Sequence, residues 1–189
     1  TDDLSIEPGD LVKLSTLNFE LLDQKEQLRE HKYPAIEKTT QANDSNLIGV
    51  IATAPGVTLG GGYDKLSSGA ETRSVTLAGR VPVKVSLENG SVQVGDLLTT
   101  SSVSGVAMKA TGAGQVLGRA VEPFEGFVTE CQLSFQKIKK LKNGETKEVV
   151  DGEEEYEIEE ITLTQCHQVE TEVGKVLTII QVGWQGQGT

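Results

Sequence analysis

Two histidines, two cysteines, a serine-rich loop and several acidic runs are the groups with which this sequence could do chemistry. His167 follows Cys166 directly, so on a strand the two side chains take opposite faces and cannot act as a thiol–imidazole pair. Ser101-Ser102-Val103-Ser104-Gly105 lacks the Gly-x-Ser-x-Gly order of a nucleophile elbow. Gly60-Gly61-Gly62 lacks the Lys-Ser/Thr and following helix of a phosphate cradle, and reads as a loop. No Cys/His cluster has zinc spacing. Asp151-Gly152 and the acids after it lack the alternating oxygen ligands of a calcium loop. The residues therefore signal no catalytic constellation, no metal site and no cofactor.

The elements around these groups are organised by Ala78 to Phe124. Val81, Val83, Val85 and Leu87 alternate with Pro82, Lys84, Ser86 and Glu88, the period-2 pattern of a half-buried strand. Asn89-Gly90 then predicts a two-residue hairpin with Leu87 opposite Val92 and Val85 opposite Val94. Short strands are expected around Val106–Met108 and at Val116–Val121. Earlier, Gly9-Asp10-Leu11-Val12 opens a strand, and Leu47–Thr53 forms another. The first of these strings parallels Gly95-Asp96-Leu97-Leu98. Each has a later partner, Leu47-Ile48-Gly49-Val50 and Val116-Leu117-Gly118-Arg119, which points to two related β units. Phe19 to Lys32 carries Leu21, Leu22, Lys25 and Leu28 at helical spacing and is the one predicted helix, ended by Tyr33-Pro34. Lys175–Val182 is a β-branched closing strand, followed by Trp184.

Between Phe127 and Leu141 runs a lysine-rich arm, and Glu145 to Glu160 is acidic. Pairing residues whose numbers sum to 296 sets Leu133 opposite Leu163, Phe135 opposite Ile161, Ile138 opposite Ile158, Lys137 opposite Glu159 and Lys139 opposite Glu157. Apolar and opposite-charge pairs agree on that register, so a two-stranded ribbon is expected. It leaves Cys131 opposite Gln165 and Cys166 opposite Glu130, which predicts two free thiols.

The chain has 189 residues, 21 of them glycine, with only 4% aromatics. Its apolar content rests on Val, Ile, Leu and Thr, which favours many short strands joined by glycine turns. The expected fold is all-β: a barrel or sandwich of short strands, a long protruding two-stranded ribbon and at most one short helix. The expected division is a core of residues 1–126 plus 173–184, a ribbon inserted at 127–172 and a tail at 185–189. A net charge of −11 repels phosphate backbones, so no nucleic-acid partner is expected. No apolar run approaches the ~20 residues of a membrane span. The chain starts at Thr1 without Met and reads as part of a longer protein.

From Gly9-Asp10-Leu11-Val12 through Leu47–Gly56, Gly79–Val85, Val94–Thr99 and Gly105–Ala110, the sequence resembles the C-terminal domains of fibre-like bacterial surface proteins. More distantly it is similar to the self-cleaving intramolecular-chaperone domain at the C-terminus of phage neck-appendage and tail-spike proteins. The resemblance covers roughly residues 4–126 and 174–184. It implies an extracellular end domain, on a virion or bacterial surface, that assists folding and trimer assembly with its parent fibre and its own copies as partners. It implies two alternatives, an autoproteolytic domain cleaving upstream of residue 1 and the ligand-binding tip of an adhesin. The family's cleavage junction is a Ser-Asp pair with a nearby Glu, and no such pair stands in Thr1–Pro8. Asp2, Asp3 and Glu7 are the acidic candidates that the resemblance places nearest that position.

Overall fold

The computed structural model describes residues 5–22, 28–57, 65–66, 72–140, 146–148 and 157–186. They form strands and no helix, and the chain divides into two units, 1–126 with 171–189, and Phe127–Glu170. The first unit contains two sheets. Strands β1 (Leu11–Leu22), β2 (Leu28–Lys38), β3 (Leu47–Ile51), β4 (Lys65–Leu66) and β5 (Val75–Thr76) make one, ordered β2-β1-β3-β5 with β4 beside β1. Strands β6 (Ala78–Ser86), β7 (Leu97–Thr100), β8 (Ala107–Lys109), β9 (Gly114–Ala120) and β13 (Val173–Gln185) close into a barrel.

The barrel is built on period-2 burial. Val81, Val83 and Val85 of β6 point inward, as do Val176, Thr178 and Ile180 of β13, while Lys175, Ile179 and Gln181 face out. Antiparallel pairing from Val173↔Ser86 to Gln181↔Ala78 puts these inward rows side by side. Each fully buried Val, Leu or Ile stabilises the fold by about 1.5–3 kcal/mol. In the first sheet, Ile6, Val12 and Ile51 form the corresponding apolar cluster.

The expected hairpin at Asn89-Gly90 does not form. A turn does close there, with Gly90 N–H donating to the Leu87 carbonyl at 2.8 Å. Gly90 takes a positive φ of 85°, but Asn89 does not, so the turn is not the doubly left-handed type that folds two strands onto each other. The Asn89 amide is used elsewhere, donating to the Lys109 carbonyl at 2.9 Å. Strand β6 pairs instead with β13 and, in parallel, with β8. Val92 bridges to Phe124, and Val94 is exposed.

The expected helix over Phe19–Lys32 is also overturned at its described residues, Phe19–Leu22 and Leu28–Lys32. Leu11 and Val12 are fully buried, which commits the start of β1 to the sheet, and the strand continues to Leu22. Strand β2 returns antiparallel with Phe19↔Tyr33, Glu20↔Lys32 and Leu22↔Leu28 in register. A lone helix of about 14 residues is marginal in water, whereas extension of an existing strand adds ladder bonds without a new nucleus.

The two Gly-Asp turns are structurally equivalent. Gly9 and Gly95 have φ of 95° and 91°. Asp10 N–H donates to the Glu7 carbonyl and Asp96 N–H to that of Gln93, both at 3.1 Å. Gly9 N–H donates to the Ile51 carbonyl, as Gly95 N–H does to that of Ala120, and Ile51 and Ala120 each donate back to the aspartate carbonyl. The following strands match as well: β1 sets Val12 opposite Lys38 and Gly49, and β7 sets Leu98 opposite Lys109 and Gly118. Both glycines lie where the next strand crowds in, under Thr76 and under Ile179.

The second unit is a three-stranded sheet ordered β11-β10-β12, built from β10 (Phe127–Lys140), β11 (Thr146–Glu148) and β12 (Glu157–Glu170). The ribbon therefore has a third, short strand beside its two arms. Its register also differs from expectation. Paired numbers sum to 297, from Phe127↔Glu170 to Lys140↔Glu157. Cys131 stands opposite Cys166 and the two form a disulfide, so the expected free thiols are not there. The cross-strand pairs that favoured the other register contribute only about 0.2–1 kcal/mol each. A disulfide closing a loop of this length contributes about 2–4 kcal/mol, and the apolar pair Val128↔Val169 supports the same register near the base.

Candidate functional site

Among the described residues of the first unit, the densest group of acidic and basic side chains surrounds Asp10. The Gly9 turn aims this carboxylate inward, where it is 1% exposed. Oδ2 accepts the Glu7 N–H at 2.8 Å and lies 3.1 Å from Lys38 Nζ at the end of β2. Oδ1 lies 2.7 Å from Lys84 Nζ on β6, and the same ammonium donates to Glu7 Oε2 at 2.9 Å. One carboxylate thus joins a turn, β2 and β6. Beside it, Lys13 lies 3.5 Å from both Glu37 and the buried Asp44. The Asp44 N–H donates to Thr100 Oγ1 at 2.6 Å, which ties the first sheet to the end of β7.

The second turn repeats the arrangement in a more open setting. Asp96 Oδ2 accepts the Gln93 N–H at 2.7 Å and lies 2.8 Å from Lys109 Nζ. Lys109 ends β8 as Lys38 ends β2, and Ala110 and Thr39 N–H donate to the carbonyls of Leu97 and Leu11. The signal that could have found both partners is a lysine at the end of the strand that returns beside each Gly-Asp strand. Lys84 carried no such signal, because β6 reaches Asp10 only through the tertiary fold.

The charges hold each other in their ionised forms. A hydrogen bond from Lys84, then its charge, lowers the Glu7 carboxyl below its usual range. Burial pushes the Lys84 ammonium down, but hydrogen bonds to Asp10 and Glu7 outweigh it and leave Lys84 raised. Burial likewise pushes Asp96 up, and the hydrogen bonds from Lys109 and the Gln93 backbone outweigh it, leaving the carboxyl lowered. The geometry is that of a brace between strands.

This sets a pH prediction. The Asp96 carboxyl is lowered on folding, so its stabilisation is complete above the unfolded carboxylate pKa of about 3.9 and is lost as pH falls through the lower folded value. Lys84 is raised, so its contribution is complete below about 10.4 and is lost only as pH rises through the higher folded value. Thermal unfolding should be flat between about pH 5 and 10 with respect to these groups. The drop in Tm from pH 7 to pH 3 should be smaller in Asp96→Asn than in the parent chain; an unchanged drop would contradict the Lys109 pairing.

Of the acidic candidates, Glu7 sits in the brace with its carboxylate 68% exposed, while Asp2 and Asp3 lie outside the described residues. Gly60-Gly61-Gly62 and Asp151-Gly152 also lie outside them. Ser101 is buried, and its Oγ donates to the Val106 carbonyl at 2.8 Å. Ser102 donates through N–H and Oγ–H to Glu88 Oε2 at 2.8 and 3.0 Å, so these serines fasten their loop. His167 is exposed on β12 opposite Glu130. Among the described residues no group of three or more His, Cys, Asp or Glu could hold a metal ion, and no helix is long and apolar enough to cross a membrane. Compared with known proteins, the chain matches no family model, no curated protein and no solved structure.

Proposed function

We propose that this chain is a structural end domain of a phage-like or bacterial surface fibre, which assists folding of the fibre and assembly of its trimer. The observation that carries the reading is the use of the buried charge: Asp10 links a turn, β2 and β6 in one ion cluster, and Asp96 repeats the device. Such bracing suits a mechanical terminus. The Cys131–Cys166 disulfide joins two exposed residues, which suits an oxidising, extracellular compartment.

The test compares three purified chains by light scattering: a parent fibre shaft with this domain, the shaft without it, and residues 1–189 alone. The expected result is a trimer for the first, misassembled or aggregated shaft for the second, and monomer for the third, which has no heptad run to enforce a trimer. Normal trimers from the shaft lacking the domain would overturn the assembly role. A tight trimer of the isolated chain at micromolar concentration would instead place the trimer interface inside the domain.

A further inference from the structure

Two registers are written into the ribbon, and the structure adopts the one that pairs its residues less well. From Leu133 to Lys139, apolar residues stand opposite polar ones: Leu133↔Thr164, Ser134↔Leu163, Phe135↔Thr162, Gln136↔Ile161, Ile138↔Glu159 and Lys139↔Ile158. Only Lys137↔Glu160 is complementary in this stretch. Sliding β12 by one residue would set Leu133 against Leu163, Phe135 against Ile161 and Ile138 against Ile158. It would also set Lys137 against Glu159 and Lys139 against Glu157. Cross-strand pairing rewards both kinds of match.

The disulfide accounts for the difference. Directly opposed cysteines can bridge only in the observed register, and a one-residue step would turn their side chains to opposite faces. We propose that the Cys131–Cys166 bond is a register lock, and that its reduction lets β12 step by one residue along β10 beyond the cysteines. The topology permits the step. Strand β12 is at the edge of the β11-β10-β12 sheet, so it can move without breaking the β10–β11 pairs. Val128↔Val169 keeps the base in place, and a one-residue bulge between the base and Leu133 absorbs the offset.

The step changes which residues stand opposite one another. In the observed register, Leu133 and Phe135 stand opposite Thr164 and Thr162, and Ile161 and Leu163 stand opposite Gln136 and Ser134. After the step, Leu133 stands opposite Leu163 and Phe135 opposite Ile161. The oxidised ribbon pairs its apolar residues with polar ones, and the reduced ribbon pairs them with each other in one association-prone cluster. Both cysteines are exposed, so a small thiol can reach them. Exchange runs through a mixed disulfide: two equivalents of thiol are oxidised to their own disulfide, and Cys131 and Cys166 take up the two protons as free thiols.

The experiment uses the full chain in a Cys131→Ser, Cys166→Ser background. Two reporter pairs are compared, Lys137→Cys with Glu159→Cys, and Lys137→Cys with Glu160→Cys. Each removes the one charge pair that its own register makes at residue 137, so the two are matched. In a glutathione redox buffer the 137/159 pair should cross-link at least about ten-fold faster, a difference of about 1.4 kcal/mol. Faster closure of the 137/160 pair, equal rates, or closure of neither would each overturn the proposal.

Discussion

Replacing Asp10 with alanine should destabilise the first unit by about 3–5 kcal/mol, the loss typical of breaking a buried ion pair by removing one partner. The side chain is 1% exposed, and its removal leaves Lys84 and Lys38, 18% and 16% exposed, with no carboxylate between them. It also orphans the Glu7 N–H that Oδ2 accepts. Glu7 remains near Lys84, but it is exposed and cannot reach the site that Asp10 fills from the turn. Asp10→Asn keeps an acceptor for the N–H and should fall between the parent and Asp10→Ala. Asp96→Ala is the internal comparison: its carboxylate is 22% exposed and meets a single lysine, so the loss should be about 1–2 kcal/mol. Urea denaturation followed by tryptophan fluorescence, with unchanged slopes, gives the midpoints to compare. Equal losses at the two aspartates would show that burial does not separate the two turns.

Gly118→Ala should cost about 3 kcal/mol or more, at the upper end of overpacking. A Cβ there would collide with the Ile179 carbonyl oxygen and stand 3.0 Å from Ile180 Cα. Both are backbone atoms of β13, which is held on its other side by β6, so neither can rotate away as a side chain would. The strain falls where β7, β9 and β13 meet in the barrel. Gly49→Ala, whose Cβ would meet the Thr76 carbonyl oxygen at 2.5 Å, should cost less, because its neighbour β5 is only two residues long and can shift. Gly56→Ala has nothing within 4 Å and serves as the control. If Gly118→Ala unfolds within about 0.5 kcal/mol of Gly56→Ala, the close approach of β9 and β13 is wrong.

Local chemistry in the sequence was enough for some elements. The alternation Val81, Val83, Val85 names the inward row of β6, because a period of 2 has only two faces to assign. The Gly-Asp strings name both turns, since the positive φ at Gly9 and Gly95 and the aspartate capping bond are properties of four consecutive residues. The paired strings Leu47–Val50 and Val116–Arg119 likewise mark the two repeated strands, where a glycine must admit the next backbone.

Choices between competing partners were decided only in three dimensions. Asn89-Gly90 is a turn in both accounts, but which strand lies beside β6 depends on β13, nearly a hundred residues later, offering nine paired residues against the few of a local hairpin. The sequence from Phe19 to Lys32 has a helical stripe, but Phe19–Leu22 and Leu28–Lys32 pair as antiparallel strands, and the buried Leu11 and Val12 upstream commit β1 to the sheet. In the ribbon, sums of weak side-chain pairs point to one register and a single covalent bond to another. Sequence shows both cysteines but cannot weigh a bond that forms only when the fold and the compartment bring two thiols together. The brace follows the same rule: Asp10 is legible as a turn residue, and Lys84 becomes its partner only because the fold brings β6 to that turn.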